Sequence, residues 1–292
     1  MKFKSVLWEE LCPIYVELDN KMEKIATGVF INIFNNIFLL TAAHVIDQAK
    51  NLKKEISIPP KYGLQNIAGT LYHRYLEDGE YRNDDMIDFS YYKLDSRMIQ
   101  ILHEDFNPLT ENMIEISDDF TFDFDKSINY IPLKDMRKKI KLLYDNPSIE
   151  NMEQIKYINN LRTEITITFA GYPNTKSKMK KKYHSSEQVF YHGFGVDKNV
   201  YMLNNCSVLD NILARFGEKG TMDNNFNSTN FPKVEGISGG GIYRLINTKD
   251  GLDRKLIGIG HTYKSKQHLF IGTNIDLCLE LIRRRLLREL EE

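Results

Sequence analysis

The sequence predicts an all-β dominated chain: two β regions, a helical connector inserted between them, and a C-terminal helix. Three observations predict it. Short apolar runs, several alternating with polar residues, are separated by turn signals up to about residue 95 and again from about 163. Residues 96–160 mix charge with Ile and Leu and lose the period of two. Near the end, Ile275, Leu279, Ile282 and Leu286 fall at i, i+4, i+7 and i+11, one face of a helix.

Taken in order, residues 13–18 form a short apolar run. Residues 27–33 alternate, Asn35-Asn36 supplies a turn, and residues 37–41 resume as a strand, which together signal a hairpin. Residues 42–47 read as a short helical turn, and 67–73 and 88–94 as further strands of a small barrel or sandwich. In the connector, 134–144 and 148–161 are helix-compatible. Strands return at 164–170, ended by Gly171-Tyr172-Pro173. Residues 174–186 carry Lys176, Lys178, Lys180, Lys181 and Lys182, the composition of a solvated hairpin tip. Residues 189–196, 200–203, 241–246, 255–262 and 269–273 make the second β region, on which the helix of 275–290 packs. The expected organisation is therefore 1–95, a connector of 96–162, and 163–292.

Composition narrows the function classes. The formal net charge is -1, which gives no overall attraction to nucleic acid or acidic lipid. Nucleic acid is not an expected partner, and binding through the lysine run is the weakest reading. Cys12, Cys206 and Cys278 are too few and odd in number for a disulfide framework, and read as small buried apolar residues. No stretch approaches the roughly 18 apolar residues of a membrane span, and the first residues lack the apolar core of a signal peptide. A soluble cytoplasmic protein is expected. His73, His103, His184, His192 and His268 share no metal-ligand spacing with Cys or acidic residues, so neither metal nor other cofactor is expected.

Three segments carry chemistry: Leu40-Thr41-Ala42-Ala43-His44-Val45, Asp88-Phe89-Ser90-Tyr91-Tyr92-Lys93-Leu94, and Gly236-Ile237-Ser238-Gly239-Gly240-Gly241. Amide hydrolysis needs a nucleophile, a base to deprotonate it and a group that orients the base. A serine hydroxyl is a weak nucleophile until an imidazole takes its proton. A buried carboxylate fixes the imidazole tautomer, and backbone N–H groups receive the developing oxyanion. Each segment alone reads as easily as a structural His, a cap or a turn. In the order His, Asp, Ser, each in a fitting context, they are specific.

At these residues the chain resembles the trypsin-like serine peptidases. Thr41-Ala42-Ala43-His44 matches the family's motif at the catalytic histidine. Asp88 to Leu94 is similar to Asp-Ile-Ala-Leu-Leu-Lys-Leu at the catalytic aspartate, and Gly236-Ile237-Ser238-Gly239-Gly240 to Gly-x-Ser-Gly-Gly at the serine. Ala170-Gly171-Tyr172-Pro173 and Leu256-Ile257-Gly258-Ile259 look like strands of the family's second barrel. The resemblance covers about 13–95 and 163–290 and leaves the connector unmatched. It implies two six-stranded antiparallel β-barrels of the chymotrypsin kind. His44 and Asp88 would come from the first, Ser238 from the second, with the backbone N–H groups of Gly236 and Ser238 as oxyanion donors. Substrate would lie extended along His261-Thr262-Tyr263.

Several positions depart from the family. Ile237 stands where digestive members have an Asp that binds a new N-terminal amine, so activation by that cleavage is not expected. The oxyanion loop must then be held by other contacts. Gly241 replaces a Pro. His261 stands where the family has a Ser touching the catalytic Asp; it either faces solvent or supplies a second contact to Asp88. Tyr263 replaces a Gly lining the cleft, and either narrows the specificity pocket or packs outward. Pro232 stands six residues before Ser238, in the expected pocket floor of residues 231–233, so preference for Arg or Lys does not follow.

The resemblance thus implies a serine endopeptidase acting on a polypeptide; the expected cytoplasmic location points to an intracellular protein as substrate, with a regulatory or activating protein as a further expected partner. A role as protease effector of a bacterial defence or stress system fits a cytoplasmic location and an extra connector. The competing reading from another class is a catalytically silent protein-binding module on the same fold.

Overall fold

The apolar run near the start forms the first strand, β1 (Leu11–Leu18), in the computed structural model of the chain. The structure describes residues 8–59, 63–73, 86–103, 105–115, 166–180, 183–222, 233–248 and 251–291. The first hairpin joins β1 to β2 (Lys21–Ile33) through Asp19-Asn20, both at positive φ. Such residues tolerate the left-handed region because their short polar side chains bond locally. The turn from β2 to β3 (Asn36–Thr41) uses Phe34-Asn35. The expected Asn35-Asn36 turn is displaced by one residue, since Asn36 already pairs with Ile33.

Helix α1 (Ala43–Asn51) outruns the single turn expected of it, because Ala43, Val45, Ile46 and Ala49 give it a buried face. Next come β4 (Ile56–Ile58), β5 (Gln65–Asn66), β6 (Gly69–His73) and β7 (Ser90–Leu94). Asp88 thus lies two residues before its strand rather than in it. Helix α2 (Ser96–Leu102) begins at Asp95, whose carboxylate accepts from the Met98 N–H at 2.7 Å. A short strand, β8 (Leu109–Thr110), then lies parallel to β2. The strand order is β5-β4-β1-β2-β3-β7-β6, with β8 beside β2. Among the described residues this sheet follows an open path, a half-barrel where the resemblance implies a closed one. Met98 and Leu102 of α2 are buried with Phe30, Leu39 and Val45, so this part of the connector packs on the first sheet. The helices expected at 134–144 and 148–161 lie outside the described residues.

The second half closes. Strands β9 (Thr166–Gly171), β12 (Val189–Gly195), β13 (Asn211–Met222), β14 (Gly241–Thr248), β15 (Gly251–Lys264) and β16 (Leu269–Asn274) form a barrel in the order β12-β13-β16-β15-β14-β9. Closure removes free sheet edges. A separate hairpin, β10 (Ser177–Lys180) with β11 (Tyr183–Ser186), occupies the lysine-rich stretch. Residues 200–203, expected as a strand, are the end of helix α3 (Lys198–Leu203). Asp197 caps that helix, accepting from the N–H groups of Asn199 at 2.8 Å and Val200 at 3.2 Å. The strand that fills the barrel at this point is β13.

Phe169 and Phe216 each meet the Phe270 ring nearly edge to face inside the barrel, with centroids 4.5 and 4.8 Å apart. A second apolar cluster runs across both halves, joining Phe38 and Leu40 of the first sheet to Tyr243 and Ile259 of the barrel. Helix α4 (Ile275–Glu291) completes it with Ile275, Leu279, Ile282 and Leu286, the stripe read from the sequence. Burying each such side chain stabilises by roughly 1.5–3 kcal/mol. The architecture is therefore mostly β, with a closed six-stranded antiparallel barrel, a half-barrel sheet and a C-terminal helix. Among the described residues no helix is long and apolar enough to cross a membrane.

Candidate active site

His44 sits in the first turn of α1, after Ala42, whose methyl cannot cap the helix. The orphan N–H groups there need an acceptor. Asp88 supplies it: Oδ1 accepts from the His44 backbone N–H at 2.8 Å. Its other oxygen, Oδ2, lies 2.5 Å from His44 Nδ1. One carboxylate thus grips backbone and ring of the same residue. With Nδ1–H donating to Asp88, Nε2 keeps its lone pair and is the available base. Asp88 is buried at 3% exposure. Burial alone would raise its pKa. The His44 hydrogen bond, the charges of His44 and His261 and the His44 N–H outweigh it, leaving the carboxyl below its ordinary range.

The Ser238 loop lies against the segment that leads into His44. A Cβ on Gly239 would come within 2.2 Å of Thr27 O and of Thr41 Oγ1, and 3.1 Å of Ala42 N. The Thr27 N–H donates to Ser238 O at 2.9 Å, and the Gly239 N–H to Gly260 O at 2.7 Å. Gly239 has φ 85°, where a side chain is strained. Ser238 Oγ donates to His261 O at 3.3 Å. That is long for a hydroxyl bond. Among the described residues no hydrogen bond joins Ser238 Oγ to His44. The structure therefore brings His44 and Asp88 into direct contact and sets Ser238 on the adjoining segment with its hydroxyl turned to β15.

One peptide group sets the first of the expected N–H donors, that of Gly236. The carbonyl of Glu235 accepts from the Asn174 N–H at 2.7 Å. A peptide's N–H points opposite to its carbonyl, so the Gly236 N–H is turned away from Asn174. Gly236 O accepts from Thr27 Oγ1 at 3.2 Å and from Lys24 Nζ at 3.1 Å. Among the described residues neither the Gly236 nor the Ser238 N–H has an acceptor. Ile237, 3% exposed, packs into the barrel core with Phe169 and Ile242. The loop is thus held by an apolar plug and carbonyl contacts.

His261 is buried at 6% exposure, which excludes the solvent-facing reading. Its Nδ1 stands 3.9 Å from Asp88 Oδ2 and 2.9 Å from Thr262 Oγ1. It is a close electrostatic neighbour of Asp88, beyond hydrogen-bond distance. Tyr263 lays its ring on Phe270 with centroids 4.5 Å apart, and its hydroxyl meets His268 Nδ1 at 3.2 Å. β15 pairs with β14 as far as Ile259 and with β16 through Lys264. His261, Thr262 and Tyr263 therefore follow the point where β14 leaves β15. Residues 231 and 232 of the expected pocket floor lie outside the described residues.

Sequence reasoning missed two features. Lys24 reaches this site from β2, and nothing in its local pattern separates it from a surface lysine. His73 binds Asp47 through Nε2 at 2.7 Å and Ser90 Oγ through Nδ1 at 2.7 Å. Asp47 lies one helical turn beyond His44 and Ser90 two residues beyond Asp88, so His73 braces the two elements that carry the pair. Its partners lie 26 and 17 residues away, so no local pattern marks it. Among the described residues no three His, Cys, Asp or Glu converge as a metal site.

No family model matches the chain, and no curated protein matches it by sequence. Solved structures do. A Glu endopeptidase in complex with MPD is 13% identical over 91% of this chain and 85% of that chain, with a TM-score of 0.44. The VesB protease of Vibrio cholerae is 14% identical over 98% of this chain, with a TM-score of 0.48. This chain spans 66% of that protein's length.

Proposed function

We propose that the chain is a serine endopeptidase that cleaves a polypeptide through an acyl-enzyme. The observation that carries this reading is the two-point grip of Asp88 on His44, 2.8 Å to the backbone and 2.5 Å to the ring. A carboxylate that both caps the helix and fixes the ring leaves Nε2 as a directed base. Rotation of Ser238 Oγ away from its weak contact would present the hydroxyl to that base. Catalytic hydrogen bonds are often loose without substrate and tighten on binding. His44 would take the hydroxyl proton as Oγ attacks the scissile carbonyl. The N–H groups of Gly236 and Ser238 would receive the oxyanion, and the imidazolium would then protonate the leaving amine. Water would release the acyl group by the same steps in reverse. Substrate would run extended beside His261, Thr262 and Tyr263, adding a strand where β14 departs. An intracellular protein as substrate, and a protein partner that gates the site, complete the proposal. Service in a defence or stress system is its outermost part.

Labelling with a fluorophosphonate probe tests the chemistry. Wild type labels, and Ser238→Ala and His44→Ala do not. The second reading, a silent binding module, draws on one observation: Ser238 Oγ bonds to His261 O. It expects an unlabelled wild type under every condition, with polypeptide binding retained.

A further inference from the structure

Lysine is among the residues least often buried. Lys24 is nevertheless only 8% exposed. It leaves β2 of the first sheet and enters the seam with the barrel. There Nζ donates to the carbonyl oxygens of Tyr172 and Gly236. Among the described residues no carboxylate pairs with it, and neither Glu23 beside it nor Glu235 beside Gly236 forms an ion pair with it. A buried cation without a counter-ion costs stability, so its position calls for another explanation.

The two carbonyls supply one. Tyr172 lies on the arm that carries Asn174, whose N–H holds the Glu235 carbonyl at 2.7 Å. Gly236 O belongs to the next peptide. Lys24 therefore ties together both sides of the clamp that sets the Gly236 N–H. Gly236 has φ 86° between those two peptides, and a Cβ there would meet Asn174 Oδ1 and Lys24 Nζ. With Ile237 filling the barrel core, the cation comes from the neighbouring sheet.

We propose that Lys24 is a positioning residue, the clasp that holds the Gly236 N–H where an oxyanion needs it. The proposal rests on the peptidase reading and makes the loop competent without cleavage of the chain. Burial pushes the Lys24 ammonium down to about 7. Losing that proton weakens both charge-assisted bonds, so the clasp loosens as pH rises.

The test measures fluorophosphonate acylation rate and thermal midpoint for wild type, Lys24→Met and Lys24→Gln from about pH 6 to about pH 9, a range that spans the imidazole and the shifted amine. Wild type is expected to lose rate above about pH 7, where the ammonium titrates. Both variants are expected to acylate about 10- to 100-fold more slowly, the scale of a small misplacement at a reacting centre. They should lack the alkaline limb and keep or raise the thermal midpoint. Variants with wild-type rates, or rates that fall only in step with the midpoint, overturn the clasp alone. So does a wild-type profile without an alkaline limb, which decides the matter even if neither variant folds. An unlabelled wild type overturns the peptidase reading and the clasp with it.

Discussion

Asp88 holds His44 at two points, and a single substitution separates them. Asp88→Asn keeps an oxygen for the backbone N–H at the start of α1 but offers an amide to the ring. On the proposed mechanism the wrong imidazole tautomer would then be offered to Ser238. Acylation is expected to fall about 10⁴-fold with the fold intact, read as probe-labelling rate beside circular dichroism. Gly239→Ala separates geometry from chemistry. Its new methyl would press on the backbone oxygen of Thr27, which cannot swing aside, at φ 85°. Destabilisation of roughly 2–5 kcal/mol is expected by denaturant unfolding, the sum of backbone strain and overpacking. Much at this scale was legible in advance. Asp88 and His44 stand in contexts that are ambiguous singly and become specific only in order with Ser238, and Gly236 and Gly239 beside it take a backbone no other residue adopts easily. Lys24 was not legible. Its role depends on which carbonyls of another sheet it meets, and neighbours in sequence carry no trace of them. His261 lies between: the resemblance offers a place beside Asp88 as one of two readings, and burial removes the solvent-facing one.

Elements read from periodicity were legible where one face is buried. Helix α4 is the clearest case, since Ile275, Leu279, Ile282 and Leu286 all point into the shared core. Ile282→Ala is expected to cost about 2–5 kcal/mol, whereas Leu290→Ala, at a residue 78% exposed, should be nearly silent in the same unfolding assay. Where an end effect overrides local pattern, reading fails. Residues 200–203 have strand-forming side chains, but Asp197 satisfies the first N–H groups of α3 and helix wins. β13 was missed because Gly217 and Gly220, with Glu218 and Lys219, break the expected alternation. The brace through His73 acts between elements. His73→Leu leaves the hydroxyl of buried Ser90 without its ring partner and frees α1 from β7. A cost of about 1–3 kcal/mol is expected, with a fall in acylation that Asp47→Asn shares in part.

The two halves of the molecule are held by polar ties as well as by core. Trp8 sits against Tyr243 with centroids 4.4 Å apart, Arg254 stands 4.4 Å over the Trp8 ring, and Glu10 meets Arg254 at 3.0 Å. Lys24 is the tie whose charge changes near neutrality, and it sets how stability follows pH. In an unfolded chain its amine holds a proton to about pH 10.4. In the fold it gives the proton up near 7. Between those values the unfolded chain binds more protons, so stability rises with pH. Buried Cys12 and Cys278 act the other way. Burial pushes their thiols up, so the unfolded chain loses protons that the fold retains, and stability falls above about pH 8.5. Tyr172 and Tyr243, also raised by burial, deepen the fall above about pH 10. Asp88, held below its ordinary range, contributes stability above that range and loses it as acid protonates the folded carboxyl. The thermal midpoint of wild type is therefore expected to climb from about pH 7, peak near about pH 8.5 and decline beyond it. Lys24→Met should remove the climb and leave the decline, because the thiols and phenols are untouched. A flat wild-type midpoint between those two pH values would mean that Lys24 keeps its proton in the fold, and that the seam tolerates a full charge with only two carbonyls to hold it.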